Sequence, residues 1–209
     1  MPGVTRYAQR ERAVLADLLA TAGPDAPTLC AGWTTRDLAA HVVVREHRPD
    51  AAVGIIVKAM HGWGERVRLS AAARPWESLI DEVRRAPWWS HPAIDEQINT
   101  IEYFVHVEDV RRATGEWEPR ELPEGLERAL WSRLGGIVRL IQRRVKMPIR
   151  IVAPGHGEVT AGTGAEPVTL TGPPSELMLF FTGRQRVAQL TVEGPEAAVE
   201  RLSTARLGI

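Results

Sequence analysis

The sequence predicts an α-helical bundle of four to five helices followed by a small α+β C-terminal domain. Apolar residues recur at helical spacing through the first 145 residues, between Pro and Gly punctuation. After Lys146 the texture changes to short β-type runs separated by Gly and Pro. The length of 209 residues, 44% hydrophobic and 25% charged, supplies an ordinary core for one large domain or two small ones. The expected division is residues 1–145 for the bundle and 146–209 for the second domain.

From about Val4 to Ala22, Tyr7, Val14, Leu15, Leu18 and Leu19 fall on one helical face, and Gly23-Pro24 ends the run. Thr34 and Asp37 have capping-box spacing and open a helix through Leu38, His41 and Val44 to about His47. Pro49 restarts a helix at Asp50 to about Met60, and Gly62-Trp63-Gly64 reads ambiguously. Pro75 suits the first turn of a helix carrying Trp76, Leu79, Ile80 and Val83, which Pro87 stops. Pro92 opens the longest run, to about Ala113, and a last helix runs from Pro123 to about Val145 despite Gly135-Gly136. Short connections between helices of this length imply antiparallel neighbours. The β-type runs are 149–153, 158–161, 168–171 and 187–192, with helices at about 175–182 and 195–204. Gly155-His156-Gly157 and Gly162-Thr163-Gly164 read as hairpin turns, since neither opens a helix after a strand as a phosphate-binding loop does.

The 26 Lys+Arg balance 26 Asp+Glu, and no basic tail or patch interleaved with aromatics is present. Nucleic acid and anionic membrane surfaces both require a local excess of positive charge, so neither is an expected partner. A single cysteine, Cys30, excludes a disulfide framework and any Cys-only metal site and fits a reducing compartment. The N-terminus shows no apolar run behind a basic start, and no stretch approaches membrane-spanning length, so the expected location is the cytoplasm.

The chemistry concentrates in Asn99-Thr100-Ile101-Glu102-Tyr103-Phe104-Val105-His106-Val107-Glu108-Asp109-Val110-Arg111-Arg112. At about 100° per residue, Glu102, His106 and Asp109 share a narrow arc, with Asp95 and Asn99 on or beside it. Ile94, Ile98 and Val105 flank this polar stripe on one side, and Tyr103, Val107 and Val110 on the other. Gln97, Thr100, Glu108 and Arg111 form the expected solvent face. A polar stripe bounded on both sides by apolar residues points inward, where unpaired carboxylates and imidazoles cost several kcal/mol unless paired or metal-bound. Glu102 and His106, at i and i+4, can converge on one ion as two of the three protein ligands of a catalytic zinc site. His41, on an apolar helix, is the candidate third.

Arg45, one turn after His41, suits an anionic group beside the metal's open position, or is a solvated helix-end residue. Asp109 is open to three roles: a fourth ligand, an orienter of a ligating imidazole, or an ion-pair partner of Arg112 or Arg45. The orienting role is favoured. His47 points away from His41, and His47, His61, His91 and His156 read as surface loop residues. Cys30 precedes a helix start, but the sequence places no base near it, and free cysteine is usually a small buried hydrophobe.

Cys30-Ala31-Gly32-Trp33-Thr34-Thr35-Arg36-Asp37-Leu38-Ala39-Ala40-His41, followed by Arg45-Glu46 and by the stretch from Glu102 to Arg112, resembles the DinB-like metal-binding proteins. Within them the chain is most similar to the mycothiol-dependent maleylpyruvate isomerase type, in an uncharacterised metal-binding subfamily. The similarity extends more loosely over Thr169 to Leu202, through Thr171-Gly172-Pro173-Pro174-Ser175-Glu176-Leu177 and Gly183-Arg184. The resemblance implies a divalent metal, usually Zn²⁺, on His41, Glu102 and His106, with mycothiol or a similar low-molecular-weight thiol as cosubstrate. The implied activity is S-transfer or isomerisation through a metal-activated thiol. The expected partners are therefore a small-molecule thiol and an electrophilic substrate, with a homodimer left open. Two rival expectations are hydrolysis by metal-bound water and a non-catalytic module with a structural metal.

Overall fold

The computed structural model describes residues 6–48, 61–87, 92–164 and 166–208. Among them the chain is mostly helical, with one small sheet near its C-terminus. It divides into two compact units, Met1–Trp117 and Glu118–Ile209. The helix expected over 50–60 and His91 lie outside the described residues.

The first unit contains α1 (Tyr7–Ala22), α2 (Thr35–His47), α3 (His61–Ala72), α4 (Trp76–Arg84) and α5 (Pro92–Arg111). α1 packs chiefly on α5 and α4, and α2 on α3 and α4. Their shared core includes Leu15, Leu19, Leu38, Val42, Leu79, Val83, Tyr103 and Val107, each at most 2% exposed. The first turn of α1 carries no acidic residue of its own. Instead, the Glu96 carboxylate from α5 accepts the Tyr7 and Ala8 backbone N–H groups at 3.1 and 3.0 Å, satisfying donors that a helix start leaves open. α3 spans the ambiguous Gly62-Trp63-Gly64. Helix interiors tolerate glycine at a cost of about 1 kcal/mol, and here the packing of α3 on α2 overrides that preference.

α2 begins as its sequence predicts. The Thr34 backbone N–H and hydroxyl donate to Asp37 Oδ2 at 3.1 and 3.0 Å, and Thr34 and Asp37 form a capping box. Arg68 of α3 donates to the other oxygen of Asp37 at 2.6 Å, joining the cap to its neighbour. At the far end of α3, Arg36 Nη1 donates to the Ala72 and Arg74 carbonyls at 2.9 and 3.0 Å and closes the turn into α4.

The second unit contains α6 (Glu124–Val145), β1 (Ile149–Ala153), β2 (Gly157–Ala161), β3 (Val168–Thr171), α7 (Pro174–Phe181), β4 (Thr191–Glu193) and α8 (Glu196–Thr204). The sheet order is β2-β1-β3-β4. β1 and β2 form an antiparallel hairpin, β1 and β3 pair in parallel, and β3 and β4 pair antiparallel. Gly155-His156-Gly157 therefore turns a hairpin, as expected. Gly162-Thr163-Gly164 does not: it leads from β2 to β3, which lie on opposite sides of β1. β4 is shorter than the run read at 187–192, because residues 185–187 sit in a turn. α6 buries the stripe Leu126, Leu130, Leu134, Val138 and Ile141 and packs on α7 and β2. The chain thus divides between 117 and 118 rather than at the change of texture after 145, with α6 in the same unit as the sheet.

Candidate metal centre

The site joins the middle of α2, the C-terminal half of α5 and the loop before α2, all within the first unit. His41 Nε2 lies 3.3 Å from Glu102 Oε1, and His106 Nε2 lies 3.2 Å from that same oxygen. The three ligand atoms lie within 4.8 Å of one another. The two imidazole rings meet edge to face, 5.4 Å between centroids. His41, Glu102 and His106, drawn from two helices, are thus brought together.

Each ring is oriented by a neighbour. Trp33 lies 5.2 Å from the His41 ring, and the Arg68 guanidinium covers Trp33 at 4.9 Å. His106 Nδ1 lies 2.9 Å from Asp109 Oδ2. Asp109 is fully buried, and its carboxylate faces the ring at Nδ1.

The donor set fits a cation on a specific ground. A carboxylate oxygen only accepts hydrogen bonds, yet both nitrogens of His106 face one: Nδ1 faces Asp109 and Nε2 faces Glu102. A neutral imidazole satisfies one of the two. The second contact requires either a second proton, giving imidazolium, or a cation between Nε2 and Oε1. In the metal-free protein the proton serves: burial opposes it, but the hydrogen bonds His106 makes to Asp109, Cys30 and Glu102 hold its pKa well above the usual value. Burial likewise raises the Glu102 carboxyl, but hydrogen bonds from His106 and His41 outweigh it and leave the pKa well below normal. His41 is shifted down, mainly by burial, so its nitrogen is available as a neutral ligand.

The Glu102 side chain retains 28% exposure and that of His41 17%, against 9% for His106. The cluster therefore has one open side. Arg45 stands there, its Nε 3.3 Å from Glu102 Oε1 and its Nη1 donating to Asn99 Oδ1 at 2.6 Å. Behind Asn99 the stripe continues into a buried network: Asn99 Nδ2 donates to Asp95 and Glu46 at 2.7 and 3.1 Å, Arg12 Nη2 reaches both carboxylates at 3.0 Å, and the Tyr103 hydroxyl donates to Glu46.

The inward stripe of α5 is correct, but the face assigned to solvent is so only in part: Gln97 is exposed and Arg111 half-buried, while the other two residues turn inward. Thr100 and Glu108 are 0% and 1% exposed, whereas Ile98, read as an apolar flank, is 54% exposed. Glu108 is buried because Arg112 and Arg111 bind its carboxylate at 2.6 and 2.9 Å, and Arg112 stacks on Trp117 at 4.3 Å. Of the remaining histidines, His156 is also no surface residue: its side chain is 9% exposed and faces Glu124 at 3.8 Å. His47 lies outside the cluster, at the end of α2, lining a cavity of about 460 Å³ with Val43, Trp63 and Arg74. Two residues of the site were not placed there by the sequence: Cys30, which reads as a small buried hydrophobe, and Trp33. Both stand in the stretch just before the capping box, but their contacts with Asp109 and His41 arise only when the loop docks on α5. No protein-family model, curated protein or solved structure matches the chain.

Proposed function

We propose that the chain is a DinB-like metal-binding protein of the mycothiol-dependent type, and that His41, Glu102 and His106 hold a divalent cation, Zn²⁺, for thiol-dependent S-transfer or isomerisation. The observation carrying this reading is the convergence of three ligand atoms on a partly open cluster whose central imidazole faces a carboxylate on both nitrogens. Three protein ligands with an accessible side suit an exchangeable position better than a closed structural site. When bound, the cation would supply Lewis acidity that makes thiolate from a thiol near neutral pH.

The chain's own residues divide the remaining work. Asp109 fixes the His106 ring and Trp33 walls that of His41. Arg45 presents a permanent positive charge at the open edge, where it can pair an anionic group of thiol or substrate. Its hold on Asn99 keeps the guanidinium in place without a ligand. Among the described residues, no helix is long and apolar enough to cross a membrane.

Elemental analysis of wild type and His41→Ala, purified without chelators, tests the centre. Stoichiometric zinc in wild type and its loss in the variant are expected; equal retention in both sinks the assignment. Turnover of an electrophile that depends on added thiol distinguishes S-transfer from hydrolysis of an ester or amide, which proceeds without one.

A further inference from the structure

Cys30 stands beside the cluster, the ligand atoms of Cys30, His106 and Asp109 lying within 4.8 Å of one another. Its Sγ lies 3.2 Å from Asp109 Oδ2, the same oxygen that takes His106 Nδ1 at 2.9 Å. Since the carboxylate only accepts, the thiol S–H and the ring N–H both donate to it. Local structure holds the thiol in that position. The Cys30 N–H donates to Thr28 Oγ1 at 3.2 Å, the Trp33 N–H donates to the Cys30 carbonyl at 2.9 Å, and the turn between them needs Gly32 at φ +78°. The loop is tied to α5 by the Leu29 N–H, which donates to the Asp109 carbonyl at 3.0 Å. Thiol, carboxylate and imidazole thus form one chain, anchored at both ends by backbone.

We propose that Cys30 is a positioning residue: its thiol fixes the Asp109 carboxylate, which keeps the His106 proton on Nδ1 and aims Nε2 at the centre shared with His41 and Glu102. A metal-ligating histidine whose other nitrogen is held by a carboxylate binds more tightly, and loss of that partner typically costs about 10- to 100-fold in affinity. Cys30 acts through that carboxylate and stands beside the His106 ring itself, in a role that is neither that of a nucleophile nor that of a packing residue. The inference rests on the metal reading above, and it explains why a polarisable S–H donor, rather than an alanine, stands before Ala31-Gly32-Trp33.

Zinc affinity, measured by competition with a chromophoric chelator, is to be compared for wild type, Cys30→Ala, Cys30→Ser and Asp109→Asn. Visible spectra of the cobalt-loaded forms and ¹⁵N NMR of the metal-free histidines accompany it. Cys30→Ala and Asp109→Asn are expected to weaken zinc by about 10- to 100-fold and to alter the cobalt spectrum. Cys30→Ser, which keeps an O–H donor, is expected to stay within about 3-fold of wild type, since the donor is retained. A purely structural role would lower the melting temperature of the apo protein while leaving affinity and spectrum unchanged. Wild-type affinity in Cys30→Ala, or a Cys30→Ser variant as weak as Cys30→Ala, overturns the proposal. If wild type takes up no zinc, the metal reading fails instead, and the NMR still decides this one. Loss of the His106 Nδ1–H signal in metal-free Cys30→Ala supports positioning, and an unchanged signal overturns it.

Discussion

At the level of single residues, the polar stripe of α5 continues past His106 and Glu102 into a charge network sealed from solvent. Arg12 is 2% exposed and neutralises Glu46 and Asp95 at 3.0 Å each, while its guanidinium lies 4.8 Å from the centre of the Tyr103 ring. Burial raises the Glu46 carboxyl despite Arg12 and Tyr103, so the pairing only partly offsets desolvation. Arg12→Met should therefore leave two buried carboxylates without their cation and cost about 3–5 kcal/mol, read from the urea midpoint at pH 7. A loss below about 1 kcal/mol would show that the network needs no arginine, the two acids sharing a proton instead. Glu102, His106 and Asp109 were legible as a set from helical rotation alone, because i, i+4 and i+7 are fixed by 3.6 residues per turn. Cys30 was not legible, because the base it lacks in sequence is supplied from 79 positions away.

Among the elements, α2 is the one whose start the sequence specified most fully. Its capping box also carries a pH dependence. The Asp37 carboxyl is lowered from the ordinary 3.8: burial would raise it, but Arg68 and Thr34, which favour the ionised form, win. A depressed folded pKa contributes stability that is complete above the unfolded value and is lost as pH falls through the folded value. Asp37→Asn should thus cost about 1 kcal/mol at pH 7, with the gap from wild type closing below about pH 4. Thermal melts from pH 7 to pH 2.5 check this, and a constant gap would show that the charge is irrelevant. α3 shows the opposite case. Gly62 and Gly64 mask its start, and the contacts that favour helix there come from α2, out of reach of any local pattern. The burial of Glu108 is a mixed case: Arg111 and Arg112 stand at i+3 and i+4, within reach of a rotation diagram, but the stacking of Arg112 on Trp117 is not.

For the whole molecule, the periodicity that identified α6 says that it has one apolar stripe but not which body covers it. That is why the division falls after Trp117 and not after Val145. The same non-local limit applies to the sheet, where the parallel β1–β3 pairing passes over the β2 hairpin. A ligand that binds only the folded state stabilises it by mass action, about 4 kcal/mol at a thousand-fold excess over Kd. Zinc should therefore slow amide hydrogen exchange across residues 6–117 of the first unit, reversibly with chelator. Protection appearing only in 118–208 would place the cation elsewhere. A last consequence follows from the span between His41 and Glu102, which are 61 positions apart. The complete centre cannot exist in a short helical fragment, so its assembly waits on long loop closure while each helix forms in microseconds or less. In refolding followed by stopped flow, ellipticity should return before zinc leaves a fluorescent indicator. The lag would time the docking of α2 on α5, turning the cation into a clock for the final stage of folding.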